Sequence, residues 1–295
     1  MTTTSNAPIK DGGAARLLEI LELDQIEQDL YLGQNEHQRS KRLFGGQVLA
    51  QATAAAYRTV EDVHVHSLHA YFIQAGSPDR PVLYEIERIR DGRSFTTRRV
   101  VAVQNGVAIF NMDISFQLEE LGFDHANAIP NVPLPEELGD DVEAALEMPE
   151  GDPGLGPMSL THRPFEMRSV FRPGSAAARE DRSWHPTWIR FREQVDPGDA
   201  RLSRVLLAYA SDMSLVSTAS LPHQSEIPRG QLQTASLDHA LWIHRPVPID
   251  QWLLFHKRTS TAQGARGLVH AALYARSGEM IASVTQEGLI RPPKA

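Results

Sequence analysis

One pattern restricts the fold of this chain more than any other: a helix followed by several strands occurs twice, at a fixed spacing. The small-residue run Phe44–Ala56 (FGGQVLAQATAAA) is rich in helix formers and precedes a strand-rich stretch from Val65 to Gln117. Within that stretch Pro81–Arg90 alternates, and Phe95–Val103 and Val107–Gln117 carry the β-branched and apolar residues of strands. Leu202–Ser220 then reads as a second helix, and Ser236–His244, Trp252–Ser260, Gly267–Ala275 and Met280–Ile290 as a second set of strands. Gly92 and Gly264 lie 172 residues apart, as do Gly106 and Gly278, and SLHAYFI (67–73) and DHALWIH (238–244) hold nearly the same relative position. Asp91-Gly92 and Asn105-Gly106 are hairpin dipeptides, because both central residues of that turn need positive φ; Ser277-Gly278 is a further turn in the second set. The fold class that follows is α+β, two helix-plus-antiparallel-meander repeats joined into one larger sheet with the helices packed on it. A lone meander leaves unpaired strand edges, and joining two copies hides part of them.

Between the repeats the composition shifts. Residues 119–159 carry PNVPLPEELGDD and MPEGDPGLGP, where proline, glycine and acid dominate and apolar periodicity disappears. The expected organisation is a flexible leader (1–13), an N-terminal repeat (14–118) opening with a short helix at Leu17, Leu18, Leu21 and Leu23, a linker (119–159), and a C-terminal repeat (160–291).

Composition narrows the partners. The formal net charge of −8 supplies no field to attract nucleic acid or an anionic membrane, so an anionic ligand has to find a local arginine patch. The chain has no cysteine, which removes disulfides, thiolate metal ligands and a cysteine nucleophile together. No run approaches the ~18 consecutive apolar residues of a membrane span. The N-terminus has no signal-peptide core, and the C-terminal RPPKA is neither a peroxisomal nor a retention signal. A cytoplasmic protein is expected.

The places where the repeats differ are candidates for chemistry. On the last strand Ala282, Val284, Gln286, Gly288 and Ile290 share a face. At the 172 spacing Gln286 stands where the first repeat has Ile114, flanked by Phe110, Met112 and Phe116. A buried amide without partners costs about 1–3 kcal/mol, so Gln286 is either a satisfied structural amide, a shifted register, or a functional group. In Leu202–Ser220 the positions Val205, Ala208, Asp212, Leu215, Val216 and Ala219 form one helical stripe, which Asp212 interrupts. Desolvation raises a carboxyl pKa and nearby donors lower it, the means by which a general base is tuned; the alternative is a capping or ion-paired aspartate. Gly45-Gly46 opens the first helix, where glycine admits a ligand and free N–H groups can hold an oxyanion, or where helix and sheet simply pack closely. The arginines of the strands, Arg88, Arg90, Arg93, Arg98, Arg99, Arg258 and Arg266, are phosphate ligands or solvated strand faces. His64, His66 and His69 have a spacing that metal ligands can use, without an acidic partner nearby in sequence. No G-x-S-x-G elbow, Walker loop, G-x-G-x-x-G or H-E-x-x-H occurs.

LFGGQVLAQA (43–52), DGRSFTTRRV (91–100), LLAYASDM (206–213), SLDHALWIHR (236–245) and IASVTQEGLIR (281–291) together carry a resemblance. The chain is similar, from about Leu17 to Arg291, to the type II acyl-CoA thioesterases, the TesB-like family, whose fold is the double hotdog. The resemblance implies hydrolysis of acyl-CoA, expected here on medium- to long-chain fatty acyl-CoA, with no cofactor and no metal. It also implies a homo-oligomer, dimer or higher. It places the catalytic residues in the C-terminal repeat: Asp212 in YASD, Ser236 in ASLDH and Gln286 in VTQEG. Many bacterial relatives have threonine where this chain has Ser236. The implied mechanism is direct attack by a water that the three side chains hold, with Asp212 as base. Substrate-binding positions are expected at Gly45, Gly46, Arg93 and Arg266. Two other readings stand beside it, a hotdog enoyl-CoA hydratase and a non-catalytic acyl-CoA sensor. The hydratase pairs an aspartate with a histidine five residues on, where this chain has Ser217.

Overall fold

The structure, a computed structural model, describes residues 12–36, 42–146, 163–171, 183–223, 226–227 and 231–292. The first repeat contains α1 (Gly12–Leu21), β1 (Asp24–Glu27), β2 (Leu30–Gly33), α2 (Gly45–Tyr57), β3 (His64–Phe72), β4 (Val82–Asp91), β5 (Phe95–Gln104) and β6 (Val107–Gln117). A short helix α3 (Asp141–Leu146) lies in the connection. The second repeat contains β7 (Phe165–Ser169), β8 (Trp184–Phe191), α4 (Ala200–Ser211), α5 (Leu215–Ala219), β9 (Gln233–Ser236), β10 (Asp238–Ile243), β11 (Leu253–Gln263), β12 (Arg266–Ala275) and β13 (Met280–Arg291).

The strands form one sheet in the order β1-β2-β4-β5-β6-β3-β10-β13-β12-β11-β8-β7, with β9 added on β13. This order is a mirror about the β3–β10 joint, where Leu241 pairs with Leu68 and Asp238 with Tyr71, antiparallel. Each repeat thus closes the inner edge of the other, the double hotdog. The period of two decides which face is inside: Phe110, Met112, Ile114 and Phe116 of β6 and Ala282, Val284, Gln286, Gly288 and Ile290 of β13 are buried in alternation. On that face lie α2 and α4. The small side chains of α2 (Ala50, Ala52, Ala55 and Ala56 are fully buried) let it pack closely. The two helices run antiparallel, since Arg201 at the start of α4 lies over the Tyr57 ring at the end of α2. At the other end, a Cβ on Gly46 would stand 2.4 Å from the Tyr209 carbonyl.

Three local expectations need correction. The helix read over 202–220 is broken: α4 stops at Ser211, Asp212 is its C-cap, and Ser214 has a left-handed φ of 66° before α5. The Ser217 and Thr218 hydroxyls both donate to the Ser214 carbonyl at 2.8 Å, and side-chain bonding of this kind competes with helix continuation. Asp212 therefore caps a helix rather than interrupting a continuous stripe. Asn105-Gly106 has the two positive φ values expected (54° and 74°), but neither Asp91 nor Gly92 does; the corresponding turn of the second repeat falls on Gly264-Ala265 (59° and 60°). Finally, the strand read over 236–244 is interrupted at Leu237: β9 and β10 both pair with β13, the register shifts by one residue between them, and β10 also pairs with β3.

Of the leader, residues 1–11 lie outside the described residues, and Gly12 and Gly13 already belong to α1. The connection between repeats is anchored where it is described. Ile129, Val132 and Leu138 cover a second apolar cluster of Trp188, Trp252, Leu254 and Tyr274. Trp188 Nε1 donates to the Pro133 carbonyl at 2.8 Å. At the start of α3, Asp141 accepts from the Ser169 N–H (2.8 Å) and hydroxyl (2.7 Å). Residues 147–159 lie outside the described residues. No helix among the described residues is long and apolar enough to cross a membrane.

Candidate active site

The C-terminal end of α4 meets the N-terminal end of α2, and Asp212 stands in the gap. A Cβ on Gly45 would lie 2.6 Å from Asp212 Oδ2 and 2.9 Å from two carbons of the Phe72 ring, so only glycine admits the carboxylate there. The Gly46 N–H, one of the first-turn donors that no helical carbonyl can satisfy, bonds the Asp212 carboxylate. The positive end of the α2 dipole points the same way.

The sheet supplies the other partners. Ser236 is the last residue of β9, opposite Gly288 of β13. The step from β9 into β10 along β13 is held by Leu237, whose N–H donates to the Glu287 carbonyl at 3.0 Å and whose carbonyl accepts from the Phe72 N–H at 2.9 Å. Gln286 is 1% exposed on the inner face of β13. Gln286 Nε2 donates to Ser236 Oγ at 3.0 Å, and Ser236 Oγ donates to Asp212 Oδ1 at 3.3 Å. All three residues named from the sequence thus converge. Burial pushes the Asp212 carboxyl up to about 6, against the pull of Gln286, Ser236 and the Gly46 N–H, which favour the charged form. A base that is ionised at neutral pH yet retains appreciable proton affinity is the result.

A fourth residue, missed in the sequence, completes the cluster. His239 of β10 is 1% exposed; its Nδ1 lies 2.5 Å from Gln286 Oε1 and its Nε2 lies 2.8 Å from Ser211 Oγ. Burial lowers its pKa to about 4, partly offset by Gln286, so the ring is neutral at physiological pH. The signal was present: His239, Leu241 and Ile243 share one strand face and the two neighbours are buried apolar residues, the same alternation that singled out Gln286.

The other positions divide. Gly45 and Gly46 line the carboxylate. Arg266 begins β12 opposite Leu289, three residues along β13 from Gln286, roughly 10 Å, and its Nε donates to Glu287 Oε1 at 2.8 Å. Arg93 is not brought to the trio. It sits in the β4–β5 loop by the His64 end of β3, whereas Asp212 is beside Phe72; eight residues of strand, roughly 26 Å, separate those ends. His66 Nε2 is 2.8 Å from Ser115 Oγ, and the His69 ring meets Trp242 edge-on. Among the described residues no group of three or more His, Cys, Asp or Glu could hold a metal. Ser217, where a hydratase would carry histidine, is spent on the Ser214 carbonyl.

Comparison with known proteins sets this geometry in a family. Residues 160–289 match the acyl-CoA thioesterase model, and residues 35–117 match that of the acyl-CoA thioesterase N-terminal domain. Acyl-coenzyme A thioesterase 8 of Mus musculus is 41% identical, over 92% of this chain and 88% of its own length. This chain belongs to the acyl-CoA thioesterase family. Acyl-CoA thioesterase 2 of Haemophilus influenzae is 35% identical over 93% of this chain and 96% of its own. The crystal structure of the acyl-CoA thioesterase II TesB2 of Mycobacterium marinum superposes with a TM-score of 0.78 at 37% identity, covering 94% of this chain and 99% of that one. In this thioesterase the N-terminal match includes Gly45 and Gly46, and the C-terminal match includes Asp212, Ser236, His239 and Gln286.

Proposed function

We propose that this thioesterase cleaves medium- to long-chain fatty acyl-CoA to free acid and CoA by direct attack of a water held at Asp212, Ser236 and Gln286. The observation that carries the reading is the convergence of these three side chains, from α4, β9 and β13, in one hydrogen-bonded chain that ends on a buried carboxylate. Asp212 takes the proton as the water oxygen bonds to the thioester carbonyl carbon. Ser236 and Gln286 orient that water, which replaces an orientational search by a pre-formed geometry. The Gly46 N–H already serves the carboxylate, so we assign the oxyanion to the neighbouring Gly45 N–H at the start of α2. Collapse of the tetrahedral intermediate breaks the carbon–sulfur bond, and the proton held by Asp212 passes to the departing thiolate. Arg266 at the rim is the candidate partner of the CoA phosphates; Arg93 is outside this site.

Phe72 beside Gly45 and Val216 beside Gly288 supply apolar surface suited to a fatty chain. We further place the protein in the cytoplasm as a homo-oligomer; Tyr71 and Ile73, large apolar residues exposed at the end of β3, support an association surface. Two measurements on the purified protein test the reading. In a kcat/KM series from acetyl- to palmitoyl-CoA the maximum is expected beyond butyryl-CoA, and a maximum at acetyl-CoA overturns the substrate class. Mass spectrometry during turnover is expected to show unmodified protein; an acyl adduct on Ser236 would make that serine the nucleophile.

A further inference from the structure

We infer that His239 is a positioning residue whose Nδ1–H locks the Gln286 amide with its NH2 toward Ser236 and Asp212. The inference rests on the water mechanism above and extends it to a residue that touches neither water nor substrate. An amide has nearly the same shape in either orientation, so its neighbours decide which end faces the base. His239 approaches Gln286 Oε1 at 2.5 Å and Ser211 Oγ at 2.8 Å. A neutral imidazole has one donor and one acceptor nitrogen. With an oxygen facing Nδ1, the proton is on Nδ1 and Nε2 is the acceptor, so Ser211 Oγ, which is also 2.9 Å from the Ala208 carbonyl, turns its single hydrogen toward Nε2.

The hydrogens then run in one direction, from Ser211 to His239, to Gln286, to Ser236 and finally to Asp212. Ser211 and Asp212 are consecutive, so one helix end holds both ends of the network. The opposite tautomer would turn Gln286 over. Its Oε1 lone pairs would then face the carboxylate, and Ser236 would donate to Gln286 instead of to Asp212. Both effects withdraw donors from the base and leave the water poorly aimed. Ser211, His239 and Gln286 are all at most 1% exposed, so no solvent molecule can substitute for a missing partner at low cost.

The test compares His239→Leu, which removes the donor at similar bulk, with His239→Asn, whose amide nitrogen reaches the Nδ1 position. For H239L, kcat is expected to fall roughly 10- to 100-fold with KM changed little. The acid limb of its pH profile should move to higher pH, because Asp212 loses stabilisation of its charge. H239N should recover most of the rate. In a Q286A background, H239L should cost no more than about twofold, since His239 acts only through that amide. A wild-type rate and limb in H239L, full additivity with Q286A, or an H239N as impaired as H239L each overturns the assignment. If H239L does not fold, His239→Gln, whose amide reaches the Nε2 side, takes its place with the same expectations. Loss of the base reading is seen separately, as an active Asp212→Asn; an inactive Asp212→Asn beside a fully active H239L overturns the positioning role alone.

Discussion

Gly45→Ala is the smallest change that should disable this site. The added methyl carbon would stand 2.6 Å from Asp212 Oδ2 and 2.9 Å from the Phe72 ring, whereas non-bonded heavy atoms settle near 3.5 Å. The ring can swing aside. The carboxylate cannot withdraw freely, because Ser236, Gln286 and the Gly46 N–H all hold it. It is therefore displaced by something under 1 Å, and a misplacement of about 1 Å can cost about 10² in rate. We expect kcat at pH 8 to fall about 30- to 100-fold, read as CoA thiol release from saturating decanoyl-CoA, with KM nearly unchanged. Thermal stability should change little, since alanine favours the helix and offsets part of the clash. Gly46→Ala provides the contrast. Its methyl would meet the Tyr209 backbone carbonyl at 2.4 Å, which no rotamer can relieve, so α2 and α4 must part and the melting temperature should drop. A folded Gly45→Ala enzyme within threefold of the wild-type kcat would refute the claim that the helix start is shaped around the base.

In the proposed mechanism Asp212 acts in its charged form, and burial raises its pKa to about 6, so kcat should fall about tenfold per pH unit below that value; a flat profile from pH 5 to 8 contradicts the base assignment. The same shift is a stability cost. The folded value lies above the unfolded 3.8, so ionising this carboxylate weakens the fold progressively between about pH 4 and 6, by about 3 kcal/mol once complete. Lys257 is fully buried against Thr187, and burial lowers its pKa to about 7 from 10.5. Wild-type stability therefore gains as pH rises through that window, and Lys257→Met should raise the melting temperature more at pH 6.5 than at pH 9.5. An equal or larger gain at pH 9.5 would show that Lys257 is not held neutral by burial. Chelators should leave kcat unchanged, and a loss restored by zinc would revive a metal mechanism.

Much of the fold is legible because alternation and spacing are properties of single strands. The 172-residue spacing places β3–β6 and β10–β13, and it makes Gln286 stand out against Ile114. The split of α4 from α5 is not legible that way: helical periodicity persists through Asp212, and only the left-handed Ser214 breaks it. The one-residue register shift at Leu237 is held by β3 and β13 together, which no local pattern encodes, and it is this kink that turns Ser236 inward. β1, β2, β7 and β8 lie at the outer ends of the sheet, outside the segments that repeat at this spacing. The linker's Ile129, Val132 and Leu138 are too sparse for periodicity, yet each has a partner in the Trp188 cluster. Arg93 stands far from the trio, and arginine composition carries no information on which end of a strand faces the site.

The most direct test of Asp212 as the base is kcat of Asp212→Asn at pH 8 under conditions where chemistry limits the rate. The amide keeps the size and can still hydrogen-bond a water but cannot take its proton. General-base assistance is worth about 10²–10⁴, so kcat should fall by that factor while the protein stays folded and binds acyl-CoA as before. A folded variant within about threefold of the wild-type kcat would contradict the assignment.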